Sequence, residues 1–175
     1  EEQFKEMLEA EEEDTLAFVK EAVLETDFEI LLPDEYVSSI TERITIYREL
    51  DGMETEEQLQ KFEATLIDRF GPIPRQSQDL IETIRLRWVA RDIGFEKLVL
   101  KSGKLIGQFV SKEDSPYYQS PAFTRVLEFI KYNPTRGKMY EKNGGLRMSF
   151  PNVESLVTAN EILRDIASAG QAQRI

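Results

Sequence analysis

The sequence predicts an α+β fold in which three helices precede a hairpin–helix–hairpin–helix unit, with a small antiparallel sheet packed on helices. The first observation is that apolar residues recur at helical spacing from about residue 34 up to Gly94. The second is that the period falls to two after Gly94, in runs joined by the turn signals Ser102-Gly103 and Asn143-Gly144-Gly145. The change of period at Gly94 indicates helices before this glycine and mainly strands after it.

The N-terminal segment, residues 1–26, is predicted to be an acidic tail with marginal helices. Residues 1–35 carry a net charge of −12, whereas residues 36–175 carry +1. Phe4, Met7 and Leu8 suggest one short helix, and residues 16–24 suggest another. The acidic run at residues 11–14 is typical of a solvated linker, or of an arm that docks on a basic partner. Residues 28–32 are then a candidate strand or an extended lead-in.

The first helix is expected from about residue 34 to residue 50. Asp51-Gly52 ends it. Its apolar stripe should consist of residues at helical spacing, namely Tyr36, Val37, Ile40, Ile44 and Tyr47.

The second helix has a well-defined start and end. Thr55 and Gln58 form a capping box, in which each side chain satisfies the backbone N–H of the other. Gly71 fits a left-handed C-terminal cap, and Pro72 prevents continuation. Its apolar face should be Leu59, Phe62, Leu66 and Phe70.

The third helix should begin near Pro74, because proline is tolerated in a first turn whose N–H groups have no helical acceptor. Gly94 ends it. Its predicted stripe is Leu80, Ile81, Ile84 and Trp88.

The C-terminal half begins with strands at residues 95–100 and 105–110. Ser120-Pro121 then opens a helix as N-cap and first position. The inward residues of this helix should be Phe123, Val126, Leu127 and Ile130.

A second hairpin is predicted from residue 138, with Leu146, Met148 and Phe150 in strict alternation on its second strand. Asn152 is expected to cap a last helix that ends before Gly170. The buried face of that helix should be Leu156, Ala159, Leu163 and Ile166.

Composition counts against most enzyme classes. The chain has no cysteine and no histidine, which removes disulfides, the Ser-His-Asp triad, cysteine nucleophiles and the commonest metal ligands. No phosphate-binding glycine motif is present, since Gly103-Lys104 is followed by Leu105. We therefore expect no catalysis and no cofactor. The sequence has neither a membrane-spanning run nor a basic signal segment, which indicates a cytoplasmic location.

The basic residues raise the question of nucleic-acid binding. Basic residues decorate the third helix and surround Tyr140 on the second hairpin; they are Arg85, Arg87, Arg91, Arg136, Lys138, Lys142 and Arg147. A basic stripe with an aromatic residue can follow a phosphate backbone. However, the net charge of +1 over residues 36–175 is far from that of an autonomous nucleic-acid binder, so no direct contact is expected.

Four segments in register carry a family resemblance. They are Pro33-Asp34-Glu35-Tyr36-Val37, Arg43-Ile44-Thr45-Ile46-Tyr47-Arg48, the stretch from Leu66 through Pro74, and Ile93-Gly94-Phe95. In order and spacing they resemble the C-terminal domain of bacterial transcription-repair coupling factors, the Mfd family. The resemblance covers about residues 28–168.

The resemblance implies a regulatory domain over residues 27–170, after an absent motor domain and an acidic linker at 1–26, with a disordered end at 171–175. The parent would be an ATP-driven DNA translocase that engages stalled RNA polymerase, duplex DNA and the repair protein UvrA. The domain would be autoinhibitory, masking the UvrA-binding module of the same polypeptide. The alternative is an accessory nucleic-acid-binding domain that helps the motor hold DNA.

The resemblance also implies an interface on the second helix. Asp68 matches the exposed acid of the family's Asp-Arg-Phe-Gly segment and is expected to contact basic residues of the masked module, with Arg69 beside it. The family's preceding glutamate is Thr65 here, and Glu63 is the candidate substitute. The remaining motif residues are assigned to architecture: Tyr36, Tyr47, Phe70, Gly71 and Pro74.

Overall fold

The computed structural model describes residues 18–170 of the 175-residue chain. It contains two compact units, one formed by residues 18–27 with 87–170 and the other by residues 28–86. We call them the sheet unit and the helical unit. The elements in chain order are β1 (Val23–Thr26), α1 (Ile40–Asp51), α2 (Glu56–Phe70), α3 (Arg75–Ile93), β2 (Phe95–Lys101), β3 (Lys104–Phe109), a 3₁₀ helix (Pro116–Gln119), α4 (Pro121–Tyr132), β4 (Lys138–Lys142), β5 (Gly145–Phe150) and α5 (Leu156–Ala167). The predicted α+β class is confirmed.

The sheet has the order β1-β2-β3-β5-β4 and is mixed, because β1 runs parallel to β2 while every other pair is antiparallel. The predicted sheet lacked this strand. The helix expected over residues 16–24 is wrong where the structure describes it, since Val23–Thr26 pairs with residues 97–100. Four residues are too few to show a period of two, and their pairing partners lie far away in sequence. The helix expected around Phe4 and Leu8, and the end at 171–175, lie outside the described residues.

Ion pairs fasten the edge strand β1 to β2. The Glu25 carboxylate lies 2.8 Å from Lys97 Nζ and 3.7 Å from Lys101 Nζ. The hydrogen bond and the charge of Lys97 lower the pKa of Glu25 below its ordinary value of 4.5, and Lys101 adds to the effect. Because the folded-state pKa is the lower one, this contribution to stability is present above pH 4.5 and is lost as the pH falls through the folded-state value.

We therefore expect Glu25→Gln to lower the urea midpoint at about pH 7, with a difference from wild type that shrinks as the pH falls below 4.5 and the wild-type carboxylate is protonated. Urea titrations at several pH values measure it. Glu35→Gln, at an exposed carboxylate of the helical unit, is the control. A wild-type-minus-variant difference that does not change with pH would contradict this account.

Both predicted hairpin turns are confirmed. Ser102 and Gly103 have φ values of 52° and 72°, and Asn143 and Gly144 have values of 53° and 78°. Two consecutive positive φ values are typical of the two-residue turns whose twist matches that of paired strands.

One face of the sheet forms the core of the sheet unit. It carries Leu98, Leu100, Leu105, Met148 and Phe150, each at most 1% exposed. The Phe129 ring of α4 lies 6.2 Å from that of Phe150, which places α4 on this face. The predicted face of α5 is confirmed, since its four residues are buried.

Two details of these helices differ from prediction. Leu127, which was predicted to face inward, is 48% exposed, because α4 buries Phe129 together with the predicted Val126. Ser155, rather than Asn152, caps α5, accepting from the Thr158 amide, while Asn152 occupies a positive-φ position before the helix. The two candidates lie three positions apart, and both are good N-caps.

The first helix begins later than predicted. Ser39 is its N-cap, and residues 34–36 form a turn in which the Val37 amide donates to the Pro33 carbonyl. Val37 is therefore buried outside the helix, and the buried stripe of α1 passes through Ile46 and Leu50. The predicted inward positions Ile40 and Ile44 are 66% and 46% exposed. Residues 28–32 form no strand, and the chain bends at Phe28 and Leu31.

The second helix agrees closely with prediction. Thr55 and Gln58 make both hydrogen bonds of the capping box, and Leu59, Phe62 and Leu66 are buried. The C-terminal cap differs in conformation, because Gly71 has φ 87° and ψ −165°. This backbone region is open almost only to glycine, so the chain leaves α2 in an extended path rather than a left-handed turn.

Candidate interaction surface

A tyrosine fixes the C-terminal end of α2. The Tyr36 hydroxyl donates to the Leu66 carbonyl at 3.2 Å and to the Gly71 carbonyl at 2.9 Å. Its ring lies 5.6 Å from that of Phe70, and burial raises its pKa. Gly71 lies just past the helix end, where its carbonyl has no helical donor, so Tyr36 supplies one.

Two further contacts position the same unit. The Tyr47 hydroxyl accepts from the Leu32 amide at 2.8 Å, which ties α1 to the lead-in segment. The Pro74 carbonyl accepts from the Gln78 amide at 2.9 Å, one residue before α3 begins at Arg75. These motif residues therefore make contacts that hold the backbone around α2.

The outer side of α2 carries an exposed strip of Ala64, Ile67 and Asp68 at helical spacing, which we call the α2 ridge. Ile67, in the last turn of α2, is 52% exposed, which is a large value for an aliphatic side chain. Asp68 forms no ion pair among those described for residues 18–170. It lies two residues before the helix ends, where the helix dipole disfavours negative charge.

Arg69 lies beside the ridge, and its side chain contacts other residues of the helical unit. Its guanidinium pairs with Glu42 on α1, and it lies 4.7 Å from the centre of the Phe70 ring. Arg69 therefore does not neutralise Asp68, although the two residues are adjacent in sequence.

Glu63 faces a different direction from Asp68. Its carboxylate lies 2.8 Å from Arg85 of α3, and Arg85 also pairs with Glu56 and Glu82. Burial lowers the pKa of the Arg85 guanidinium, but hydrogen bonds to Glu56 and Glu82 outweigh this and raise it above its usual value. We call these four residues the Arg85 cluster. From the sequence, Arg85 was predicted to lie on a solvated basic face. Its pairing with Glu56, 29 positions away, leaves no local sequence pattern.

A groove of about 470 Å³ lies beside the ridge, between α1 and α2. Its walls include the apolar side chains Ile46, Met53, Phe62 and Leu66, with Arg48, Lys61, Thr65 and Arg69 also lining it. An apolar floor with a polar rim is the usual composition of a surface that accepts a partner side chain.

The described part of the chain lacks two further kinds of feature. Among residues 18–170, no helix is long and apolar enough to cross a membrane. Within the same residues, no group of three or more acidic side chains is placed to hold a metal ion.

Comparison with known proteins identifies the family. Residues 26–120 match the model of the TRCF domain. The transcription-repair-coupling factor of Escherichia coli (strain K12) is 30% identical over 120 residues, which are 69% of this chain and 10% of that protein. The corresponding protein of Borreliella burgdorferi is 25% identical over 150 residues, which are 84% of this chain and 13% of that protein. The chain thus spans about a tenth of the length of these relatives.

A solved structure agrees in fold. The crystal structure of the C-terminal domain of a transcription-repair coupling factor superposes with a TM-score of 0.65 at 18% identity, covering 86% of this chain and 97% of that one. The resemblance to this domain expected from the four sequence segments is confirmed. With the family model matching more than half of its residues, the chain belongs to the TRCF domain family.

Proposed function

We propose that this domain is a non-catalytic regulatory domain of a transcription-repair coupling factor, and that it masks the UvrA-binding module of the same polypeptide. The observation that carries the proposal is Asp68, an exposed carboxylate without a described ion-pair partner on the surface where the family resemblance predicts an interface. The parent protein would engage RNA polymerase, UvrA and duplex DNA through its other domains.

Electrostatics support a basic partner for the α2 ridge. Asp68 lies in the last turn of α2, where the partial negative charge of the helix end repels it. A cationic side chain from another surface would relieve this repulsion and form a charge-assisted hydrogen bond. Ile67, half-exposed one residue away, supplies apolar area next to that contact.

The proposed interface contains Asp68 with Arg69 at its edge, and it leaves Glu63 out. The Glu63 carboxylate is already held by Arg85, at 2.8 Å, on the side of α2 that faces α3. Thr65, at the position of the family's glutamate, contributes only a hydroxyl, which donates to the Lys61 carbonyl. The interface therefore has one acidic contact from this helix, which favours a weak interaction.

A weak contact suits masking. Two parts of one polypeptide meet at an effective concentration in the millimolar range when a short linker joins them, so even a poor interface can occlude a competitor. A contact of modest free energy can also be released when the rest of the protein rearranges.

Charge reversal at the ridge tests the proposal. In the full-length coupling factor, Asp68→Lys should weaken masking and lower the Kd for UvrA by about tenfold, the value of one charge-assisted contact of roughly 1.4 kcal/mol. Surface-immobilised UvrA and wild-type or variant protein provide the measurement.

Glu161→Lys is the matched control, since it makes the same charge change at an exposed position of α5. Its Kd for UvrA should equal that of the wild type. The proposal fails if Asp68→Lys leaves UvrA binding unchanged, or if both variants increase it equally.

A further inference from the structure

The two faces of the five-stranded sheet differ in chemistry. One is the buried apolar face, which forms the core. Side chains alternate along each strand, so every second residue lies on the other face, which we call the open sheet face. This face carries six basic residues: Lys97, Lys101, Lys104, Lys138, Lys142 and Arg147. Four of them are exposed, whereas Lys97 and Arg147 are half-buried. The sequence pattern around the second hairpin had shown only three of them.

Strand register fixes which groups are neighbours. Tyr140 of β4 is opposite Arg147 of β5, Arg147 is opposite Gln108 of β3, and Gln108 is opposite Lys97 of β2. Residues directly opposite on adjacent strands have Cβ atoms about 5 Å apart. An aromatic ring, a guanidinium, an amide and an ammonium therefore form one row across the sheet.

The open sheet face is strongly positive. Glu25 lies on it opposite Val99, and that carboxylate is shared by Lys97 and Lys101. Glu96 stands at the bulge next to Lys97, where it accepts from the Ser111 amide. Lys104, Lys138, Lys142 and Arg147 form no ion pair among those described for residues 18–170. The charge is thus available to a polyanion.

Two basic residues of the sheet unit outside this face are held in ion pairs. Arg91 pairs with its neighbour Asp92, and Arg136 pairs with Asp165 of α5 at 2.9 Å. The near-neutral net charge of residues 36–175 therefore averages a basic face with acidic and paired surfaces elsewhere. This net charge was the reason to expect no nucleic-acid contact. The open sheet face, taken by itself, is basic, so that reason does not hold for it.

The centre of this face is partly apolar. Val99 and Ile106 are opposite one another on β2 and β3, and both retain part of their exposure, as does Tyr140. An aromatic ring among cations matches a ligand that has planar rings between regularly spaced anions. An acidic peptide offers the anions without the rings.

We propose that the open sheet face binds single-stranded nucleic acid. Lys138, Lys142 and Arg147 neutralise phosphates, and Tyr140 provides a stacking surface for a base. Base stacking on an aromatic side chain tolerates any sequence, so we expect little sequence preference. A rigid duplex keeps its base faces stacked inside, and for that reason gains nothing from Tyr140.

The test uses the 175-residue chain and a fluorescent 12-nucleotide oligothymidine, with anisotropy titrations at about 50 and 200 mM salt. The double variant Lys138→Gln/Arg147→Gln should bind about tenfold more weakly at the lower salt, and the slope of log K against log salt should fall in magnitude by about 1.4, or about 0.7 for each phosphate contact. Tyr140→Ala should also lose about tenfold in affinity, with the slope unchanged.

Lys61→Gln/Arg164→Gln is the matched control, because it removes the same charge from exposed positions of α2 and α5. It should bind like the wild type. The proposal is overturned if the two double variants lose affinity equally, if a 12-base-pair duplex binds as well as the single strand, or if Tyr140→Ala binds like the wild type. Displacement of the oligonucleotide by a polyglutamate peptide at lower concentration would overturn it in favour of an acidic protein partner.

Discussion

Gly94→Ala should lower the free energy of unfolding by about 3–5 kcal/mol, the largest effect we expect from one added methyl group. Gly94 has φ 109°, and a Cβ built there would lie 2.2 Å from Cε1 of Tyr117. Tyr117 cannot withdraw, since it is fully buried and its hydroxyl donates to the Ile93 carbonyl at 2.7 Å. Backbone strain of about 1–2 kcal/mol adds to the cost of the steric overlap.

Gly144→Ala separates these two costs. Gly144 also has a positive φ, 78°, but an added Cβ would have no atom within 4 Å. Its substitution should cost only the backbone term, about 1 kcal/mol. Urea unfolding followed by circular dichroism gives both values. Equal losses in the two variants would show that the Tyr117 contact is not what makes Gly94 necessary.

Arg85→Met should lower the free energy of unfolding by about 2–3 kcal/mol. The Arg85 side chain is 15% exposed and supplies hydrogen bonds to Glu56, Glu63 and Glu82. Methionine retains an aliphatic stem but leaves these carboxylates near one another without the shared cation. The Glu82 side chain is only 19% exposed, so solvent cannot fully replace the lost partner.

Two other substitutions calibrate this result. Lys61→Met breaks only a 3.6 Å pair with Glu57, in which both side chains are about 80% exposed, and should cost less than about 0.5 kcal/mol. Arg85→Lys should fall between the two, because one ammonium cannot match the fork of donors that reaches three carboxylates. A loss for Arg85→Met no larger than that for Lys61→Met would contradict a stabilising role for the Arg85 cluster.

Local patterns predicted much of this fold. The capping box at Thr55, the helix start at Ser120-Pro121 and the glycine turns were recognisable because each depends on residues within three or four positions. The late start of α1 was missed although Ser39 is a good N-cap, because the apolar spacing continued through Val37. Periodicity alone cannot say where a helix begins.

Long-range contacts account for what the sequence did not reveal. β1 exists because Val23–Thr26 finds a partner on β2, and Arg85 is part of a cluster because Glu56 and Glu63 lie on a neighbouring helix. The open sheet face had one usable signal, since Lys97, Val99 and Lys101 alternate with buried leucines on β2. That alternation predicts a polar face, but only the strand order shows which other strands extend it.

The parallel pairing of β1 with β2 has a consequence for how the chain folds. The two strands belong to one sheet, yet the whole helical unit, residues 28–86, separates them along the chain. The hairpins β2-β3 and β4-β5 close through two-residue turns, whereas β1 can dock only after a long loop closes, at a much higher entropic cost. We infer that β1 is the last strand to join. Until then, β2 presents an unpaired backbone edge to its surroundings, at which another chain could add a strand.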